Sequence, residues 1–213
     1  MSTLDDISTF LQRGRANETR AAVQKAIDEG IAAAIILEKG LMAGMSVIGD
    51  RFKKNEVYVP EVLIAARAMN AGLETLKPLL VASGVKSRGV VVIGTVKGDL
   101  HDIGKNLVKM MLEGKGLEVH DLGVDVPSER FTAAAKEFSA DVVCCSALLT
   151  TTMKEMKSVV EAINNAGFGK RPVVMVGGAP VTEAFRALIG ADLYTPDAAS
   201  AADAAAEACL KSA

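Results

Sequence analysis

Residues 89–108 read GVVVIGTVKGDLHDIGKNLV. An apolar run of strand length closes at Gly94, a loop with two glycines and two acids follows, and a helical pattern opens near Asp102. The same order recurs down the chain. Strand candidates are LEVHDLG (117–123), DVVCCSAL (141–148), RPVVMVGG (171–178) and ADLYTP (191–196). Helices are expected from near Pro127, Thr151 and Pro180, and an alanine-rich helix closes the chain. Continuous apolar strands that alternate with helices argue for a parallel sheet covered on both faces. Five such units fit the flavodoxin-like doubly wound order, in which ligands collect at the carboxyl ends of the strands.

Upstream of residue 82 the pattern is helical throughout. NETRAAVQKAIDEG (17–30) ends at Gly30, a helix stop. The apolar stretch 31–52 belongs in the middle of a bundle, and its Gly40, Gly44 and Gly49 permit close approach of a neighbouring helix or a bulky ligand. Pro60 suits a first helical position. Beyond it Val62, Ala66, Met69, Leu73 and Leu76 recur at three- and four-residue steps, one buried stripe, until Pro78 weakens the helix. The expected organisation is a helical bundle over 1–82, a linker over 83–88 and an α/β domain over 89–213.

Composition narrows the function classes. Among 213 residues only 4% are aromatic and none is Trp, so the core is built from Ala, Val, Leu, Ile and nine Met. A net charge of −2 offers no general attraction to nucleic acid or an anionic membrane. No apolar run approaches the ~20 residues of a membrane helix, and MSTLDDISTF lacks the basic start of a secretory signal. The expectation is a cytoplasmic chain with neither nucleic-acid nor membrane partner. Three cysteines make no disulfide framework and lack zinc-site spacing, so Cys144, Cys145 and Cys209 read as buried apolar residues.

The first strand-to-helix loop carries the chemistry. It lacks the G-x-G-x-x-G of a dinucleotide site and the Walker A lysine pattern. It offers instead Asp99-Leu100-His101-Asp102-Ile103-Gly104. An imidazole that ligates a metal usually gives its other N–H to a carboxylate, which fixes its tautomer, and Asp99 lies within reach. Gly98 and Gly104 would let a bulky group approach the backbone. One histidine without a cysteine partner makes no ordinary zinc site, so a metal here must bring most of its own ligands, as in a macrocycle. His120 matches no such pattern and reads as an edge-of-sheet or solvent residue.

The loop DLHDIG, the SAL at 146–148 and the glycine pair 177–178 together resemble the D-x-H-x-x-G, strand-end serine and glycine marks of cobalamin-binding domains. The N-terminal bundle, through GDRFKKNEVYVPEVLIAARAMNAGLETLKPLL, resembles the cap of methionine synthase and of corrinoid proteins of methylamine, methanol and methoxyaromatic methyltransferase systems. The resemblance covers nearly the whole chain. It implies an α/β fold in which a four-helix-type cap precedes a Rossmann-like five-stranded parallel sheet, with residues 89–213 as the cobalamin-binding domain.

By the same resemblance the cofactor is cobalamin, bound with its own base displaced and His101 as the lower axial ligand of cobalt. Asp99 would accept the other ring N–H, and Thr152, where methionine synthase has serine, would complete a relay of Asp99, His101 and Thr152. Gly98, Asp99, Leu100, His101, Asp102, Ile103, Gly104, Ser146 and Thr150 are expected to line the corrin and its nucleotide tail. Leu148 would shape the slot for the tail, Gly177 and Gly178 give it room, and Ala198 sit beside the buried base. In the cap, Phe52, Tyr58, Val59 and Val62 would cover the upper face, with Glu38 nearby; Val59 and Val62 also suit an ordinary bundle core. The implied function is a methyl carrier between a substrate-specific methyltransferase and a second methyltransferase acting on tetrahydrofolate or coenzyme M, with a reductive activator and no catalysis by this chain alone. The alternatives are a cobalamin-sensing regulatory module, for which the chain lacks an output element, and an adenosylcobalamin mutase small subunit, where this cap is unexpected.

Overall fold

The computed structural model describes residues 2–83 and 87–212; residues 84–86 of the expected linker lie outside them. Two units are present, one comprising 1–87 with 114–116 and the other 88–113 with 117–213.

The first unit is all-helical. It contains α1 (Thr3–Gln12), α2 (Ala16–Asp28), the short α3 (Ala33–Ile35), a π-helical turn (Ile36–Met42), α4 (Ala43–Lys53) and α5 (Val59–Ala82). α1 falls inside the expected bundle, although no separate helix is expected there, and its signals are local. The Ser2 hydroxyl accepts from the Asp5 N–H, the Asp5 carboxylate accepts from the Ser2 N–H, and Ile7 and Leu11 are buried one turn apart. A Cβ on Gly40 would stand 3.1 Å from the Ile7 side chain and one on Gly44 3.1 Å from the Ser8 backbone, so these glycines seat α1. α5 runs past Pro78 to Ala82, whereas the sequence led us to expect a weakened helix there. Pro78 lies one turn from the end of α5, so its missing N–H costs the Glu74 carbonyl one partner and only a single turn has to continue beyond it.

The second unit is a five-stranded parallel sheet in the order β2-β1-β3-β4-β5, with β1 Val90–Thr95, β2 Glu118–Asp121, β3 Val142–Ser146, β4 Val173–Gly177 and β5 Leu193–Tyr194. The connecting helices are α6 (Ile103–Gly114), α7 (Ser128–Glu137), α8 (Lys154–Asn165) and α9 (Glu183–Ile189), and α10 (Ala198–Ser212) closes the chain. Successive strand residues face opposite ways. Val92, Val143, Cys145, Val174 and Val176 join Phe131 of α7 and Met156, Val160 and Ile163 of α8 in one core. Val91, Ile93, Val142, Cys144 and Met175 are also buried. Burial on both faces is why the central strands β1, β3 and β4 read as apolar runs, whereas the edge strand β2, Glu-Val-His-Asp, does not. All three cysteines are free and buried. His120 lies on the edge strand β2, stacked on Phe138 at 3.6 Å.

Strand register brings three strand ends together. Thr95 pairs with Ser146, and Ser146 with Gly177, so β1, β3 and β4 end at one level. Strand order reverses between β1 and β3, the crevice where doubly wound sheets bind ligands.

Candidate cofactor-binding site

Asp99 organises the loop after β1. Its carboxylate is fully buried and takes donors from two segments. Oδ1 accepts from the His101 backbone N–H at 3.1 Å and lies 2.7 Å from His101 Nδ1. Oδ2 accepts from the Thr152 hydroxyl at 2.7 Å and from the Leu148 and Leu149 N–H groups at 2.8 and 3.2 Å. Burial alone would push the Asp99 pKa up. The Leu148 N–H, the Thr152 hydroxyl and the ring and backbone of His101 outweigh it and hold the carboxyl well below the usual range.

An ionised carboxylate can only accept, so His101 Nδ1 must be the donor. In the neutral ring Nε2 then carries the lone pair, and the His101 side chain is 50% exposed. The loop therefore holds a half-exposed imidazole in one tautomer, with Nδ1 occupied by Asp99 and Nε2 left as the ring's lone-pair nitrogen. Thr95, buried at the end of β1, donates from its hydroxyl to the His101 carbonyl at 2.8 Å and fixes the backbone beneath the ring. The Thr152 hydroxyl also stands 2.9 Å from the Leu149 carbonyl, but its single proton serves the charged Asp99 better. Its methyl, the group that serine would lack, would lie 3.6 Å from a Cβ on Gly98.

Around this centre the expected residues fall into place unevenly. Leu100 and Ile103 are 71% and 77% exposed, and Leu148 and Leu149 are also exposed, an apolar rim on loops that leave the crevice. Gly98 has φ +79°, and no atom stands within 4 Å of where a Cβ on Gly104 or Gly177 would be. Gly178 differs: its φ is +136° and a Cβ would collide with the Ala147 carbonyl oxygen. Ser146 is half-buried, Asp102 and Thr150 are exposed, and Ala198 is buried at the start of α10. Glu38, Phe52, Tyr58, Val59 and Val62 lie in the helical unit, where Tyr58 is 63% exposed and Val62 is fully buried. Sequence reasoning missed Thr95, the Leu149 N–H and Asp125, which accepts from the Gly98 N–H at 2.6 Å.

The donor set discriminates between ligands. No group of three or more His, Cys, Asp or Glu that could hold a metal ion exists among the described residues. A single half-exposed imidazole on an apolar rim suits a metal that arrives in its own planar ligand and needs one axial partner. Two family matches decide the identity, each to a B12 binding domain, one over residues 89–206 and one over 3–77. The chain belongs to the B12-binding family. Its cofactor is cobalamin, and the site described fits it: an anchored imidazole, an apolar rim, and glycine positions without Cβ neighbours.

Relatives of this B12-binding chain match it along most of its length. The dimethylamine corrinoid protein 2 of Methanosarcina acetivorans is 43% identical over 208 residues, 97% of this chain and 96% of the relative. The dimethylamine corrinoid protein of Methanosarcina barkeri is 48% identical over 189 residues, 88% of each chain. A chain of the methanol:cobalamin methyltransferase complex from M. barkeri superposes with a TM-score of 0.87 at 30% identity, over 98% of this chain and 80% of that one.

Proposed function

We propose that this chain is the corrinoid methyl carrier of a methylamine methyltransferase system. It holds cobalamin with the cofactor's own base displaced and His101 Nε2 as lower axial ligand to cobalt. The single observation that carries the reading is the pinned imidazole: Nδ1 at 2.7 Å from a buried, ionised Asp99, in a side chain that is half exposed. Cobalamin, when bound, supplies the cobalt chemistry by which a methyl group is taken up and given up.

The chain's own groups do the rest. Asp99 and Thr152 keep the proton on Nδ1 and favour the ligating tautomer, which raises ligand basicity. Gly98, Leu100, Asp102, Ile103, Gly104, Ser146 and Thr150 line the corrin side and the start of the tail. Leu148, Gly177, Gly178 and Ala198 form the slot for the displaced base. Residues 1–82 act as a cap, in which Glu38, Phe52, Tyr58, Val59 and Val62 shield the reactive face from water, and 83–88 are the linker. A cytoplasmic methyltransferase specific for a methylated amine loads the carrier, a second one unloads it to tetrahydrofolate or coenzyme M, and a reductive activator restores it after oxidation. The relatives named for dimethylamine support that donor class.

A single-turnover experiment tests the donor. The protein loaded with hydroxocobalamin and reduced is mixed with a dimethylamine-specific methyltransferase and dimethylamine. Close to one monomethylamine formed per bound cobalt supports the proposal. No demethylation of mono-, di- or trimethylamine with their respective methyltransferases would overturn it.

A further inference from the structure

The loop that presents His101 is gripped from two sides. On the β3 side the grip is the set of donors to the Asp99 carboxylate. On the β2 side it is Asp125, which none of the cobalamin motifs includes. The Asp125 carboxylate accepts from the Gly98 N–H at 2.6 Å, while its own N–H donates to the Asp99 carbonyl at 3.0 Å. One residue thus holds the peptide groups on both sides of the Gly98–Asp99 link.

Asp125 is itself held in place by strand-like bonding. The Thr95 N–H donates to the Gly123 carbonyl at 2.9 Å, and the Val126 N–H to the Thr95 carbonyl at 3.0 Å. A parallel bridge joins Val96 to Val126. Between those anchors Asp125 adopts φ +56°, a left-handed conformation that Asp and Asn tolerate better than other side chains do. That conformation allows its N–H and its carboxylate to address the same loop. The Asp99 N–H also donates to the Val96 carbonyl at 3.1 Å, which closes the turn from within, but only Asp125 ties the Gly98 N–H and the Asp99 carbonyl to the neighbouring loop.

We infer that Asp125 is a positioning residue for the axial ligand, its clamp on Gly98 and Asp99 setting the direction in which His101 Nε2 points. The inference rests on the reading that His101 ligates cobalt. Residues behind a ligand typically change metal affinity 10–100-fold when removed.

Three variants separate the carboxylate from the backbone: Asp125→Gly keeps the left-handed freedom and removes the acceptor, Asp125→Asn keeps both the tolerance and one oxygen acceptor, and Asp125→Ala removes both. The apoproteins are melted, then titrated with hydroxocobalamin for affinity. The Co(II) forms are examined by EPR for the splitting from an axial histidine nitrogen. The expected result is that Asp125→Gly melts within a few degrees of wild type but binds about 10-fold more weakly with a reduced nitrogen-split fraction. Asp125→Asn restores most of both, and Asp125→Ala falls lowest. Wild-type affinity and splitting in Asp125→Gly would overturn the inference. So would losses that merely follow melting temperature with no rescue by Asn. Wild-type protein without nitrogen splitting would instead sink the histidine ligation beneath it.

Discussion

A carboxylate with no exposed surface is costly unless its charge is met by donors, because burial penalises the ionised form. Asp99 meets that condition with donors from its own loop and from the turn after β3. Removing one should leave charge uncompensated. Thr152→Val, which deletes the hydroxyl and keeps the shape, is expected to destabilise the apoprotein by about 1.5–3 kcal/mol. Thr152→Ser should stay within about 1 kcal/mol, since the donor remains and only a methyl is lost; urea unfolding checks both. Asp121, on the edge strand, is more exposed and meets a buried cation instead, with Lys105 Nζ 2.7 Å from both carboxylate oxygens. Burial raises the Asp121 pKa, but the bonds from Lys105 and the Gly123 N–H and the charges of Lys105 and Lys109 bring it below its ordinary 3.8. The folded-state value is thus below the unfolded one. As pH falls the unfolded chain binds its proton first, so the stabilisation is complete above the unfolded value and drains away toward the folded one. Asp121→Asn should be less stable at pH 7 by up to about 1 kcal/mol, because solvent screens the carboxylate, and its stability should fall less steeply than wild type as pH drops below about 4. Equal slopes in urea titrations would contradict the assignment.

Among the elements, the strand ends and the first turn of α6 decide how a bulky ligand approaches. Gly104 sits in that turn with no neighbour for a Cβ, so Gly104→Ala should leave apoprotein stability unchanged or raise it by up to about 1 kcal/mol. The same methyl should weaken hydroxocobalamin binding if the corrin passes there. Gly178→Ala should fail in both respects, because its Cβ meets the Ala147 carbonyl in a backbone conformation that disfavours side chains. Thermal melts with binding titrations separate the two cases. The central strands β1, β3 and β4 are the most legible elements in the sequence, since burial on both faces writes them as apolar runs. Helix ends are less so: Pro78 is tolerated because it falls near the end of α5, and α1 is easily missed because Ser2 and Asp5 signal a helix only as a pair. The π turn at 36–42 leaves no mark in composition. Of the site, His101, Asp99 and Thr152 stand out by residue type or by the family motif. Thr95 and Asp125 do not, because their partners are backbone groups that only the strand register brings near.

At the scale of the whole molecule, an α/β unit holding the imidazole and a helical unit share one chain, and both match B12 binding domains. No helix among the described residues is long and apolar enough to cross a membrane. If the helical unit shields the cofactor, its exposed aromatic Tyr58 should matter to cobalt more than to folding. Tyr58→Ala is expected to change apoprotein stability by no more than about 0.5 kcal/mol. It should speed oxidation of the bound, reduced cofactor in air, followed by its absorbance; an unchanged rate would remove Tyr58 from the shield. The central claim, that His101 holds the cobalt, has a more direct test. Wild type and His101→Ala are reconstituted with hydroxocobalamin, desalted, assayed for cobalt and examined by EPR as the Co(II) form. The account predicts about one cobalt per wild-type chain, with splitting from a single histidine nitrogen that vanishes in the variant. Folded wild type that retains no cobalt, or a splitting that survives in His101→Ala, would contradict it.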